Sequence, residues 1–130
     1  MKKLLVISLF AFAVGAAEHD DLSKAMKTAG STMGPLKKAL DAGTMADVGP
    51  AAAKLEGVFT TSEKFWAAKH VTDATKWSQD GLAAAKALSK AAAAGDAEAS
   101  KAAFAKIGGT CKGCHDAHRE KLPDGSYKIK

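Results

Sequence analysis

The chain has 130 residues with Lys+Arg 19 against Asp+Glu 14, a formal charge of +5. That length fits one small domain and excludes an enzyme with a separate cofactor domain. With 47% hydrophobic residues and 3 prolines, a disordered or collagen-like chain is excluded too; yet 29 of the apolar residues are alanine, so the core is thin.

The chain opens with Lys2-Lys3, an apolar run from Leu4 to Val14 and the small residues Gly15-Ala16-Ala17. This is the three-part layout of a secretory leader, so residues 1–17 are expected to be cleaved and the domain to occupy 18–130 in the periplasm. The apolar run is shorter than the roughly 20 residues needed to span a bilayer, and no membrane span is expected in the mature chain. Losing Lys2 and Lys3 leaves a charge of +3, too mild to argue for nucleic acid.

Four stretches then carry apolar or small residues at alternating steps of four and three, the stripe of a helix facing a bundle interior. In the first, Leu22, Met26, Ala29, Met33, Leu36 and Leu40 share a face, Asp20 or Asp21 is the expected N-cap, and Gly43 ends it. Gly34-Pro35 predicts a kink or two abutting helices. The second, opening at Pro50, presents Val48, Ala52, Leu55, Phe59, Ser62 and Trp66. The third runs from about Asp73 to Ala94 with Trp77, Gly81, Ala84, Leu88 and Ala91 on one face. Gly95-Asp96 breaks the chain and Asp96 caps a fourth, which carries Ser100, Phe104, Ile107, Cys111, Cys114 and His118 and is expected to end at Pro123-Asp124-Gly125. No strand pattern appears, and short connections predict an all-α, antiparallel up-down-up-down four-helix bundle.

The chain's two cysteines lie in Cys111-Lys112-Gly113-Cys114-His115. C-x-x-C-H is the signature of c-type haem attachment. Two thiols three residues apart on one helical face can each add to a vinyl group of one porphyrin, and His115 sets an imidazole against the iron. One covalent haem c would supply the apolar mass the core lacks. A structural zinc site wants four ligands, and there is no second cysteine pair. A thioredoxin-like dithiol wants a βαβ context that this helical pattern does not offer.

These residues resemble the cytochrome c prime, or class II c-type cytochrome, family of haem-binding four-helix bundles. The likeness is strongest from Ala103 through Cys111, Cys114 and His115 to Arg119, and from Ala25-Met26-Lys27 to Met33-Gly34; Trp77 and the loop at 94–96 also fit. The sequence departs from the family at His118, where an aromatic residue is usual, at Pro35, and in the tail Asp124 to Lys130.

Helix arithmetic bears on the iron's sixth position. His115 lies seven residues before Leu122 and Met26 six residues after Asp20, which places both about 10 Å from helix ends at the same pole. Met33 falls about 10 Å further along the helix, and Met45 is expected in the loop at the other pole. The resemblance puts Met26 at the family's distal position, a methionine in the low-spin c-556-type branch and a non-coordinating apolar residue in high-spin members. His70 and His19, at the same pole, are the competing ligands. Arg119 is a candidate contact for a haem propionate, Trp77 and Phe104 are candidate porphyrin-packing residues, and Lys24, Lys27, Lys112 and Lys121 are candidate rim charges.

No catalytic acid, base or nucleophile is evident, so an enzyme is not expected. The sequence predicts a periplasmic electron carrier with His115 and Met26 as axial ligands, acting on redox partner proteins. Self-association into a homodimer stays open. The alternatives are a five-coordinate haem protein that binds nitric oxide or carbon monoxide, and a copper-binding bundle using its histidines and methionines.

Overall fold

A computed structural model describes residues 10–130, with side chains from His19 onward. Helices α1 (Phe10–Ala42), α2 (Met45–Ala68), α3 (Thr72–Ala93) and α4 (Ala97–His118) run antiparallel in sequence order, and strands β1 (Arg119–Lys121) and β2 (Tyr127–Ile129) follow. Of the leader expected over 1–17, positions 1–9 lie outside the described residues. Among the described residues no helix is long and apolar enough to cross a membrane.

The bundle forms because the four stripes find one another. On α2 every residue of the expected face is buried, and Leu36, Leu55, Leu88 and Ile107 are fully enclosed between the helices. Successive helices pack along their lengths, whereas α1 and α4 approach each other only sparsely. At one pole α1 ends with Gly43 at φ +73°; Thr44 N–H donates to Ala39 O (2.9 Å) and Gly43 N–H to Leu40 O (3.3 Å), the double bond of a Schellman cap. The α3–α4 turn repeats it with Gly95 at φ +66°, and the Asp96 carboxylate then caps α4 by accepting from Ala99 N–H at 3.0 Å.

Several expected boundaries shift. Asp20 and Asp21 lie inside α1 and cap nothing, because the alanine-rich segment before them continues the helix. Pro35 does not divide α1, whose buried residues on both sides of it, Leu22 and Leu36, keep one line of packing. Helix α2 starts at Met45, not at Pro50, so Met45 is helical and receives the Ser100 hydroxyl on its sulfur at 3.8 Å.

The fourth helix stops at His118, short of Pro123, and the tail forms strands where none was expected. Pro123-Asp124-Gly125 turns a hairpin: Gly125 takes φ +87°, Leu122 N–H donates to Ser126 O at 2.7 Å, and the Asp124 carboxylate accepts from Ser126 N–H and Oγ. In the antiparallel register Arg119 faces Ile129 and Lys121 faces Tyr127. Those four side chains share one face of the ribbon, while Glu120 and Lys128 share the other and pair at 3.3 Å.

Candidate haem site

At the pole opposite the two glycine turns, the helices are held by a second, smaller cluster of Leu22, Phe65, Trp66 and Ala74. Met26, Cys114 and Ile129 pack against it half-buried. Two adjoining chambers open there. The inner one, about 90 Å3, is walled by Phe59, Trp66, Trp77, Cys111, Cys114 and His118, among others. An outer one of about 440 Å3 lies between α1 and the hairpin, bounded by His19, Lys27 and Tyr127. Leu22, Met26, His115, Arg119 and Ile129 line both, so the two chambers adjoin across these side chains. Together their size lies in the roughly 300–1,000 Å3 range of cofactor and ligand sites. A more open groove of about 520 Å3 between α1 and α2 holds no cysteine, histidine or methionine, so volume alone would mislead.

Residue types and local packing fit a covalently held haem. Both cysteines are free and half-buried on the last turns of α4. Gly113 between them lies flat against Trp77: a Cβ there would stand 2.7 Å from the indole ring. The inner chamber's other polar residues are satisfied, Ser62 and Ser78 by each other at 2.8 Å and Thr110 by the Ile107 carbonyl at 2.8 Å.

Electrostatics separate this site from a redox dithiol. Burial pushes both thiols up, and the carboxylate of Asp73 raises Cys114 further. A disulfide-exchange motif needs the opposite, a stabilised thiolate. Burial, assisted by the charge of Arg119, pulls His115 below the ordinary histidine range, which keeps its imidazole neutral and able to donate a lone pair. Asp73 is itself held low by its hydrogen bond to His118, Nε2 to Oδ2 at 2.8 Å. His118 thus does more than replace an aromatic residue: its ring packs tilted against Trp66, centroids 5.1 Å apart, and its hydrogen bond to Asp73 ties α4 to the start of α3.

Met26 and His115 line the same chambers even though both helix ends used to level them were misplaced. Helix α1 starts ten residues earlier than expected and α4 ends four residues earlier, so the two ends do not mark one level, and it is the stripe on α1 that carries Met26 to that pole. Met33 packs against the larger core instead, and Met45 begins α2 at the far pole. His19 lines the outer chamber with its ring 6.3 Å from Phe65; His70, at φ +57° in the α2–α3 turn, is exposed and lines neither chamber. Phe104, expected near the porphyrin, packs against the larger core, because its position on α4 is two turns before Cys111. Arg119 is exposed and stacks over the Tyr127 ring at 3.9 Å. Of the candidate rim lysines, Lys27 borders the outer chamber, Lys24 faces a groove between α1 and α2, and Lys112 is held by Asp116 at 2.6 Å.

Sequence reasoning missed Ile129 in the chamber wall and underrated Phe59 and Trp66 as more than stripe residues. A signal for Ile129 existed: Pro-Asp-Gly between Arg-Glu-Lys and Tyr-Lys-Ile is a hairpin pattern.

A family model described as cytochrome C' matches residues 58–119, from the middle of α2 through the attachment motif. The cytochrome c' of Allochromatium vinosum is 37% identical over 73 residues, 56% of this chain and 47% of that protein. That of Pararhodospirillum photometricum is 60% identical over 37 residues, 28% of this chain and 30% of that protein. The chain therefore spans less than half the length of these relatives in the matched segments. Likeness of fold extends further: a cytochrome c' with ligand-controlled dimer dissociation and that of Thermochromatium tepidum superpose with TM-scores of 0.68 and 0.66. Each comparison covers 89% of this chain and 97% of the other, at 22% identity. With a match over residues 58–119 that runs through the haem-attachment motif, and a helical architecture shared almost from end to end, the chain is similar to the cytochromes c' in its motif-bearing half and shares their fold.

Proposed function

We propose that the chain is an exported, periplasmic electron carrier that holds one haem c through Cys111 and Cys114, with His115 and Met26 as the iron's axial ligands. One observation carries this reading: Met26 on α1 and His115 on α4 line the same two adjoining chambers, where α1 and α4 approach each other only sparsely. When bound, the haem supplies a one-electron couple, and a His/Met pair raises its potential. The neutral imidazole of His115 is ready for a metal at physiological pH. The half-buried thioether of Met26 needs no deprotonation. Phe59, Trp66 and Trp77 exclude water from the inner chamber, and Arg119 offers a cation to a propionate. With both axial positions filled, little reorganises when an electron arrives, which suits transfer to redox partner proteins and leaves no open site for catalysis.

The outer chamber beside Met26 favours one second reading, capture of nitric oxide or carbon monoxide at a five-coordinate iron. The visible spectrum of the purified holoprotein separates the two. A carrier is low-spin in both oxidation states and binds carbon monoxide slowly; Met26→Leu makes it high-spin and reactive, while Met33→Leu leaves the spectrum unchanged. A high-spin wild type with prompt carbon monoxide binding overturns Met26 ligation. A low-spin spectrum that survives Met26→Leu transfers the role to His19 or His70. Pairing of two copies, as in the relative with ligand-controlled dimer dissociation, belongs to the same reading and is checked by sedimentation with and without carbon monoxide.

A further inference from the structure

The hairpin is fixed to the site from several directions. Ile129 packs with Met26 and Cys114 against the Leu22–Trp66 cluster and lines both chambers. Lys130 N–H donates to the last carbonyl of α4, that of His118, at 3.0 Å. The Arg119 guanidinium lies on the Tyr127 ring, and these two residues belong to the same ribbon face as Ile129. Ser126, Tyr127, Lys128 and Ile129 form the side of the outer chamber opposite α1. The tail therefore stands where α1 and α4 leave a gap.

We infer that the C-terminal hairpin is the third wall of the haem pocket and its size filter: a small diatomic ligand passes it, and a bulkier planar one such as imidazole must displace it. Ile129 sets the width of the passage because it is the hairpin's apolar residue in both chambers. The Arg119–Tyr127 stack holds the ribbon closed, and with Tyr127 51% exposed its opening is local. Lys130 and Leu122 N–H report the closed state through their bonds to His118 O and Ser126 O.

This inference rests on the haem placement proposed above, and the experiment separates the two. Holoprotein is prepared with Met26→Leu, His19→Ala and His70→Ala together, which leaves none of the three candidate side chains at the sixth position, and its mass is checked first for one covalent haem; absence of haem removes the pocket reading and this one with it. Association rates of carbon monoxide to reduced protein and imidazole to oxidised protein are then compared with the hairpin intact, with Ile129→Ala, and with the chain stopped after Leu122. The expected result is an imidazole rate raised about tenfold by truncation and less by Ile129→Ala, while carbon monoxide rises only about twofold, because removing a barrier acts on the ligand that has to move it. General loosening of the bundle would raise both rates together and would overturn the filter. So would rates unchanged in both variants, or unprotected Lys130 and Leu122 amides in the full-length holoprotein.

Discussion

The two poles of this bundle solve the same problem with different material. Around the glycine turns, aliphatic side chains from all four helices close on one another, and Leu36, Val48, Leu55, Leu88 and Ile107 are almost wholly withdrawn from water. At the other pole the stripes continue, but the residues on them are Met26, Trp77, Cys111, Cys114 and His118, all half-buried around a hollow. One pole is complete as a polypeptide; the other is complete only with its prosthetic group. Alternating steps of three and four thus say where a helix faces, while residue type on the face says whether protein or cofactor fills the space.

The strongest way to break this contrast is to remove both thiols. Cys111→Ala with Cys114→Ala should abolish covalent haem entirely by mass, and should cost the haem pole its amide protection while Leu55 and Leu88 stay protected. Uniform loss of protection would show that the two poles are one cooperative unit.

Leu88→Ala tests the other side. It removes a fully buried side chain from the aliphatic core and should lower stability by about 2–5 kcal/mol in denaturant titration, with the visible spectrum unchanged. A spectral shift comparable to that of Met26→Leu would mean that the far core positions the haem.

Two glycines sharpen the comparison further. At Gly81 an added Cβ meets the ring of buried Phe59, so Gly81→Ala should cost about 1–3 kcal/mol. Gly113→Ala also meets an aromatic ring, that of Trp77, but Trp77 is only half-buried and can yield. Gly113→Ala should therefore change stability less than Gly81→Ala and the haem spectrum more. The reverse order would contradict a plastic haem pole.

The smallest effect concerns the haem-free chain. Because burial raises both cysteines, the unreactive thiol form persists to higher pH than in a free cysteine, and alkylation at pH 8 should be slower than for a cysteine peptide. The rate should climb as pH passes the ordinary thiol range, and should do so earlier in Asp73→Asn, which removes the carboxylate that raises Cys114. Equal rates for chain and peptide would show the thiols to be unburied before attachment.

Much of this was readable in the residues. The face of α2 was complete from Val48 to Trp66, the attachment motif needed only its five residues, and Gly43 and Gly95-Asp96 marked both far turns where the chain indeed reverses. Helix ends were less legible. Proline is a weak boundary where packing on both sides sustains a helix, so Pro35 and Pro50 lie inside α1 and α2. At the other extreme α4 stops before any breaker: Arg119 turns extended, and pairing with Tyr127–Ile129 gives its backbone the hydrogen bonds that further helix would have given. That pairing is local, and its Pro-Asp-Gly turn was legible in the residues. The pairing of His118 with Asp73 was hidden, since it joins positions 45 residues apart.

Both glycine turns that join helices, at Gly43 and Gly95, lie at the pole away from the thiols, and this bears on the order in which the chain assembles. Each joins two successive helices through two or three residues, so α1–α2 and α3–α4 can zip from those hinges through local contacts, the fastest kind to form. The motif Cys111–His115 is then among the last parts of α4 to be enclosed, and an enzyme attaching the haem meets an open helix end instead of a finished pocket. Pulse-labelled hydrogen exchange during refolding should accordingly find the amides beside Gly43 and Gly95 protected before those around Cys114; simultaneous protection would refute a directional closure.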